Sequence, residues 1–158
     1  MTQKLEDEGY HSFLFLARGK ESEHDQGLAI FSKFPFIDKG FVWKSYGSYN
    51  AGMFADMVIN EDTVRIYNVH LESMGIILRE YKSSHRYQSK IKRLASKLKL
   101  GAEKRSDQIN MLIAHTRECR YPFVICGDFK ETPYSYNYFK LKKYFFNDSY
   151  CLCSTWSF

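Results

Sequence analysis

The chain has 158 residues, a mass of 18.7 kDa and a net charge of +5. One domain of this length buries roughly two-thirds of its unfolded surface, so neither a metal nor a disulfide is required for folding. A hydrophobic fraction of 44%, a charged fraction of 26% and only 3 prolines exclude a chain that is disordered throughout or of low complexity.

The start of the chain carries Glu6, Asp7 and Glu8, where a signal peptide would place basic residues and then an apolar run. Phe13 to Ala17 is apolar but far too short to cross a bilayer. The expectation is a soluble, cytoplasmic chain forming one domain over residues 1–158. Tyr10 to Ala17 reads as a strand, and Arg18 to Gln26 as a polar loop. Gly27 to Ser32 reads as a second strand, closed by Pro35. Ala51 to Ile59 and Thr63 to Leu71 read as a hairpin joined by Asn60, Glu61 and Asp62. Along the second hairpin strand, alternation places Val64, Ile66, Asn68 and His70 on one face and Arg65, Tyr67, Val69 and Leu71 on the other. The first face begins apolar and ends in an amide and an imidazole.

Ser84 is placed to cap a helix beginning near His85. Ile91, Leu94, Ala95 and Leu98 follow at helical spacing, opposite Lys90, Lys92, Arg93, Lys97 and Lys99. Gly101 is expected to interrupt, and a second helix to carry Ile109, Leu112, Ile113 and Thr116 on one side. From Arg79 to Arg105 there are ten basic and two acidic residues, a local charge of +8 on a body of −3. Such a block is either a solvated helix face or the seat of an anionic partner. After Tyr121-Pro122, the run Phe123-Val124-Ile125-Cys126 has the pattern of a strand buried on both faces. Cys119, Cys126, Cys151 and Cys153 form no Cys-x-x-Cys pair, and free thiols in a reducing compartment are expected.

Two residues stand out chemically. Asp128 lies where the buried strand leaves into the Gly- and Pro-punctuated loop Gly127 to Pro133, a place suited to metal binding or water orientation and equally to a turn cap. His70, at the end of a strand, can transfer a proton or be satisfied by hydrogen bonds at a sheet edge.

Three segments together resemble the endonuclease/exonuclease/phosphatase superfamily, which includes apurinic endonucleases, pancreatic-type deoxyribonucleases, sphingomyelinases and inositol polyphosphate phosphatases. They are the Gly27–Phe36 strand ending in Ser-Lys-Phe-Pro, the Asn68-Val69-His70-Leu71 strand end, and the Gly127-Asp128-Phe129 strand and loop. The resemblance covers Gly27 to about Tyr138. It implies an α+β fold, a four-layer αββα sandwich of the deoxyribonuclease I type, present in part. It implies hydrolysis of phosphoesters, as a phosphodiesterase, nuclease or phosphatase, with Mg²⁺ or Mn²⁺. It assigns His70 to transition-state stabilisation or proton donation, Asp128 to the attacking water with weak metal binding, and Asn68 to the substrate phosphate. Where the family carries Asn two residues after that Asp, this chain has Lys130, which can hold a phosphate as a point charge or pair with Asp128. The family's metal-binding Glu and its closing Asp-His pair have no match here, and no His follows His115. The expectation is thus the middle of such a domain, without its first strand region and last strands. The alternative is a non-catalytic relative that grips nucleic acid or another polyanion through Lys90, Lys97 and Lys99.

Overall fold

The computed structural model describes residues 2–16, 27–45, 48–73 and 87–145. The expected cap at Ser84, the basic residues Arg79, Lys82 and Arg86, and Cys151 and Cys153 lie outside the described residues. In chain order the elements are α1 (Thr2–Asp7), β1 (His11–Leu16), β2 (Gly27–Ser32), β3 (Phe36–Lys44), β4 (Ala51–Ile59), β5 (Asp62–His70), α2 (Tyr87–Glu118), β6 (Phe123–Asp128) and α3 (Tyr136–Tyr144).

The hairpin of β4 and β5 is the centre of the molecule. Asn60 and Glu61 form its two-residue turn with φ of 50° and 75°, the pair of positive angles that a turn matching the right-handed strand twist requires. Ile59 faces Asp62 across it, and the register then runs unbroken to Ala51 opposite His70. β3 adds antiparallel to the outside of β4, and β6 adds parallel to β5, giving the order β3-β4-β5-β6. β1 and β2 form a separate antiparallel pair.

β4 is the strand buried on both faces, with seven consecutive buried residues from Ala51 to Met57. Ala51, Met53, Ala55 and Met57 face the β1–β2 pair, where Leu28, Ile30, Phe13 and Phe15 meet them. Phe54 faces the other way, into a core with Tyr67, Val69 and Leu71 of β5 and Ile109, Leu112 and Ile113 of α2. Each of these fully buried aliphatic side chains stabilises the fold by roughly 1.5–3 kcal/mol. The result is an α+β sandwich: helix on sheet on sheet, with two apolar layers between. Buried Asp56 in β4 is held by a bidentate pair with Arg65 opposite it, at 2.6 and 2.7 Å, which supplies the partner that a buried carboxylate requires.

The sequence reading needs five corrections. β3 is a full strand, although Pro35 and its mixed polarity read as a stop; its bulges at Phe36/Asp38 and Phe41/Trp43 break the alternation. Gly101 does not interrupt α2, which is one helix of 32 residues. A single glycine weakens a helix by about 1 kcal/mol, and the packed half around Ile109 and Leu112 outweighs that. Ile91 and Leu98, expected on a buried face, are 48% and 39% exposed. β6 pairs with β5 on one side among the described residues, and Val124 is 54% exposed. Among the described residues it is an edge strand. α3, missed in the sequence, is capped by Ser135, whose hydroxyl accepts from the Tyr138 amide.

Candidate active site

The parallel register of β5 and β6 sets Val69 beside Gly127 and His70 beside Asp128. Gly127 is required at this point. Its φ is 134°, and a Cβ built there would lie 1.9 Å from the Val69 carbonyl oxygen, a conformation and an approach open only to glycine. Beyond it, the Leu71 amide donates to the Asp128 carbonyl at 3.0 Å, closing the ladder. His70 and Asp128 therefore emerge side by side from two strand ends.

His70 Nε2 lies 4.0 Å from Asp128 Oδ2. That exceeds a direct hydrogen bond and matches the span of one bridging water or phosphate oxygen. The other ring nitrogen, Nδ1, is 3.2 Å from the Tyr49 carbonyl oxygen. A carbonyl only accepts, so Nδ1 donates to it, and Nε2 is the ring nitrogen that faces Asp128.

Lys130 is the third member of this group. Its amide donates to Asp128 Oδ1 at 3.0 Å, and its ammonium pairs with Asp128 Oδ2. Partial burial pushes the Asp128 carboxyl up, but both hydrogen bonds from Lys130, with the charges of Lys130 and His70, outweigh it and hold the group below its ordinary range. Asp128 is ionised at neutral pH and weakly basic. Lys130 itself sits at φ 51°, a left-handed conformation that Asn adopts more readily than Lys.

The other expected site residues are placed differently. Asn68 points between the sheets, and its Nδ2 donates to the Ala29 carbonyl at 3.0 Å, tying β5 to β2. Lys99 is well exposed and pairs with Glu103 at 3.8 Å. Lys97 is half-buried, and the Lys90 ammonium is buried without a hydrogen-bond partner among the described residues. Seven residues put Lys90 and Lys97 on one side of the helix, whereas nine put Lys99 opposite Lys90, so the three do not share one solvated stripe.

Three polar residues that the sequence did not single out surround the exits of β5 and β6. Arg105, counted within the basic block, is 4% exposed and turned inward. Its Nε donates to Glu131 Oε1 at 2.7 Å. Glu72 is bound by Lys104, with Nζ at 3.2 Å from Oε1. Burial pushes the Glu131 carboxyl up, yet hydrogen bonds from Arg105, Ser135 and Asn137 and the Arg105 charge hold it below its ordinary range. The spacing of Arg105 from Gln108, one turn apart on a helix, is the signal that points both toward the same strand end. A recess lined by Ser45, Ser48, Glu72, Lys104, Asp107 and Gln108 touches this network but includes neither His70 nor Asp128. Among the described residues no three of His, Cys, Asp or Glu converge as a metal-binding group. No described helix is long and apolar enough to cross a membrane.

Neither a family profile nor a curated protein matches the chain by sequence. By structure it is similar to the human Nocturnin catalytic domain solved with a bound sulfate anion, at 16% identity and a TM-score of 0.54, covering 89% of this chain and 50% of that one. It is also similar to beta toxin from Staphylococcus aureus, at 15% identity and a TM-score of 0.57, covering 90% of this chain and 52% of that one. A beta-hairpin deletion mutant of the same toxin aligns equally well. At such identities the likeness is one of fold, and the α+β sandwich is of the deoxyribonuclease I-like type. The chain spans about half the length of the solved structures it matches.

Proposed function

We propose that this chain is a phosphoester hydrolase of the endonuclease/exonuclease/phosphatase superfamily, with His70 and Asp128 at its reacting centre. The observation that carries this reading is the apposition of His70 Nε2 and Asp128 Oδ2 at 4.0 Å on adjoining strand ends. Asp128 orients or deprotonates the attacking water, and His70 stabilises the negative charge that builds on the phosphoryl oxygens. Lys130 holds a phosphate oxygen as a point charge. The fold shared with the sulfate-bound Nocturnin domain supports the class of ligand, a tetrahedral anion. Mg²⁺ or Mn²⁺ belongs to the reading through the family resemblance. The described residues do not fit such an ion unaided: Asp128 is already paired with Lys130, and among the described residues no three of His, Cys, Asp or Glu converge as a metal-binding group. The test is hydrolysis of bis(p-nitrophenyl) phosphate by the 158-residue protein, with and without Mg²⁺. His70→Ala and Asp128→Asn should each lower the rate by roughly 10²–10⁴-fold. Rates equal to the parent's would remove the reading.

A second reading is a polyanion-binding relative that does not cleave, favoured by the Lys130 ion pair that makes Asp128 a weak base. It predicts DNA or RNA retention on filters at low salt with a steep negative log–log salt slope. Of the three lysines expected to make the contact, Lys99 is the well-exposed one; Lys99→Glu should flatten that slope, and an unchanged slope excludes it as the contact.

A further inference from the structure

We propose that Arg105 is a positioning residue that holds the exits of β5 and β6 at a set separation and thereby fixes the spacing of His70 and Asp128; the proposal rests on reading that pair as the reacting centre. Two bonds leave its guanidinium in different directions. Nε donates to Glu131 Oε1 at 2.7 Å, and Nη1 donates to the Glu72 carbonyl at 3.3 Å. Glu131 follows Asp128 by three residues, and Glu72 follows His70 by two. One rigid planar group on α2 thus reaches both chains just after they leave the sheet.

The surroundings make this a brace. The last tie between the two strands is the Leu71 amide to the Asp128 carbonyl, and past it the strands have no ladder of their own. Lys104 and Gln108 of α2 also hold the β5 exit, the first through Glu72 Oε1 at 3.2 Å and the second by accepting the Glu72 amide at 2.9 Å. Asn137 of α3 holds the β6 exit through Glu131 Oε1 at 2.8 Å. Arg105 is hydrogen-bonded to both. Its side chain and that of Glu131 are each 5% exposed. A buried ion pair is often no more stable than apolar residues of the same volume, so stability by itself does not account for a charge here. Its fork geometry, which Lys lacks, does.

The experiment is NMR on the 158-residue protein, reading the His70 ring nitrogen shifts before and after Asp128→Asn. In the parent, Nε2 should respond, because the two groups face each other. In an Arg105→Lys background, which keeps the charge but cannot reach both partners, that response should fall at least twofold. A second background, Arg105→Met with Glu131→Leu, removes the buried charges together, so it keeps the fold if Arg105→Lys does not. The Tyr67–His115 hydrogen bond, 2.9 Å long and remote from the brace, serves as the folding control and should be unmoved. In hydrolysis of bis(p-nitrophenyl) phosphate, Arg105→Lys should lower kcat by roughly tenfold with KM little changed. A folded Arg105→Lys protein with the full His70 response overturns the proposal. If instead His70→Ala leaves hydrolysis untouched, the catalytic reading fails, and the NMR response alone decides the brace.

Discussion

Asp128 and Lys130 show how two residues set one acidity. Lys130→Asn keeps the backbone bond to Asp128, removes the ammonium and suits the left-handed φ of 51°. The Asp128 titration, followed by carboxyl carbon NMR, should move up toward the ordinary carboxylate range, because the opposing charge is gone and partial burial remains. Global stability should change by no more than about 1 kcal/mol, since Asp128 is half exposed and the lost ion pair is screened. An acid shift of Asp128 would show that Lys130 is not what depresses it. Gly127→Ala is a harsher test. It places a Cβ where the Val69 oxygen already stands, so β6 must leave β5. Urea unfolding should show a loss of roughly 3 kcal/mol or more.

α2 is anchored along half its length. Its C-terminal half places Ile109, Leu112 and Ile113 against Phe54, Tyr67 and Val69, whereas Ile91, Leu98 and Leu100 in the first half are 39–55% exposed. Leu112→Ala should cost about 2–5 kcal/mol, with a cavity left under the sheet. Ile91→Ala should stay within about 0.5 kcal/mol. Denaturant midpoints separate the two, and equal losses would mean that the first turns are packed as well. The helical period was legible in both halves. A 3.6-residue repeat states that one face can be buried, and only the position of the sheet decides which turns are. The same limit applies to β6. Its apolar run resembles the doubly buried β4, and the number of neighbouring strands, absent from the run itself, separates them.

Across the whole molecule, pH acts through buried and partly buried groups in two windows. Burial, and then the nearby Arg65 charge, push His115 below the usual histidine value of 6.5. The folded state therefore disfavours its protonation, and stability should decline as pH falls through 6.5 toward the lower folded value. Glu131 and Asp128 are depressed carboxylates, so the stability that they contribute is present above the ordinary carboxylate range and is lost as pH falls through their folded values. Urea midpoints between pH 7.5 and 3 should fall in two stages. Glu131→Gln should lower the midpoint at neutral pH and flatten the acid stage. If that stage keeps its full slope in the variant, the buried Arg105–Glu131 pair is not its source.

The hairpin strands, a turn within Asn60 to Asp62 and the strand ends at His70 and Asp128 were legible in the sequence alone, because each rests on neighbours within a few positions; the structure narrows the turn to Asn60 and Glu61. The sequence also placed Asn68 and His70 on one face of β5, and the structure keeps that face between the sheets, with Asn68 bonded to Ala29. Tertiary structure decided the rest. Asp128 follows His70 by 58 positions, and only the parallel pairing of β5 with β6 makes them neighbours. Arg105 read as one more cation in a basic block. Whether a helical arginine faces water or a buried carboxylate depends on what the chain folds against it, and that surface is built from Glu72 and Glu131, 33 residues before it and 26 after.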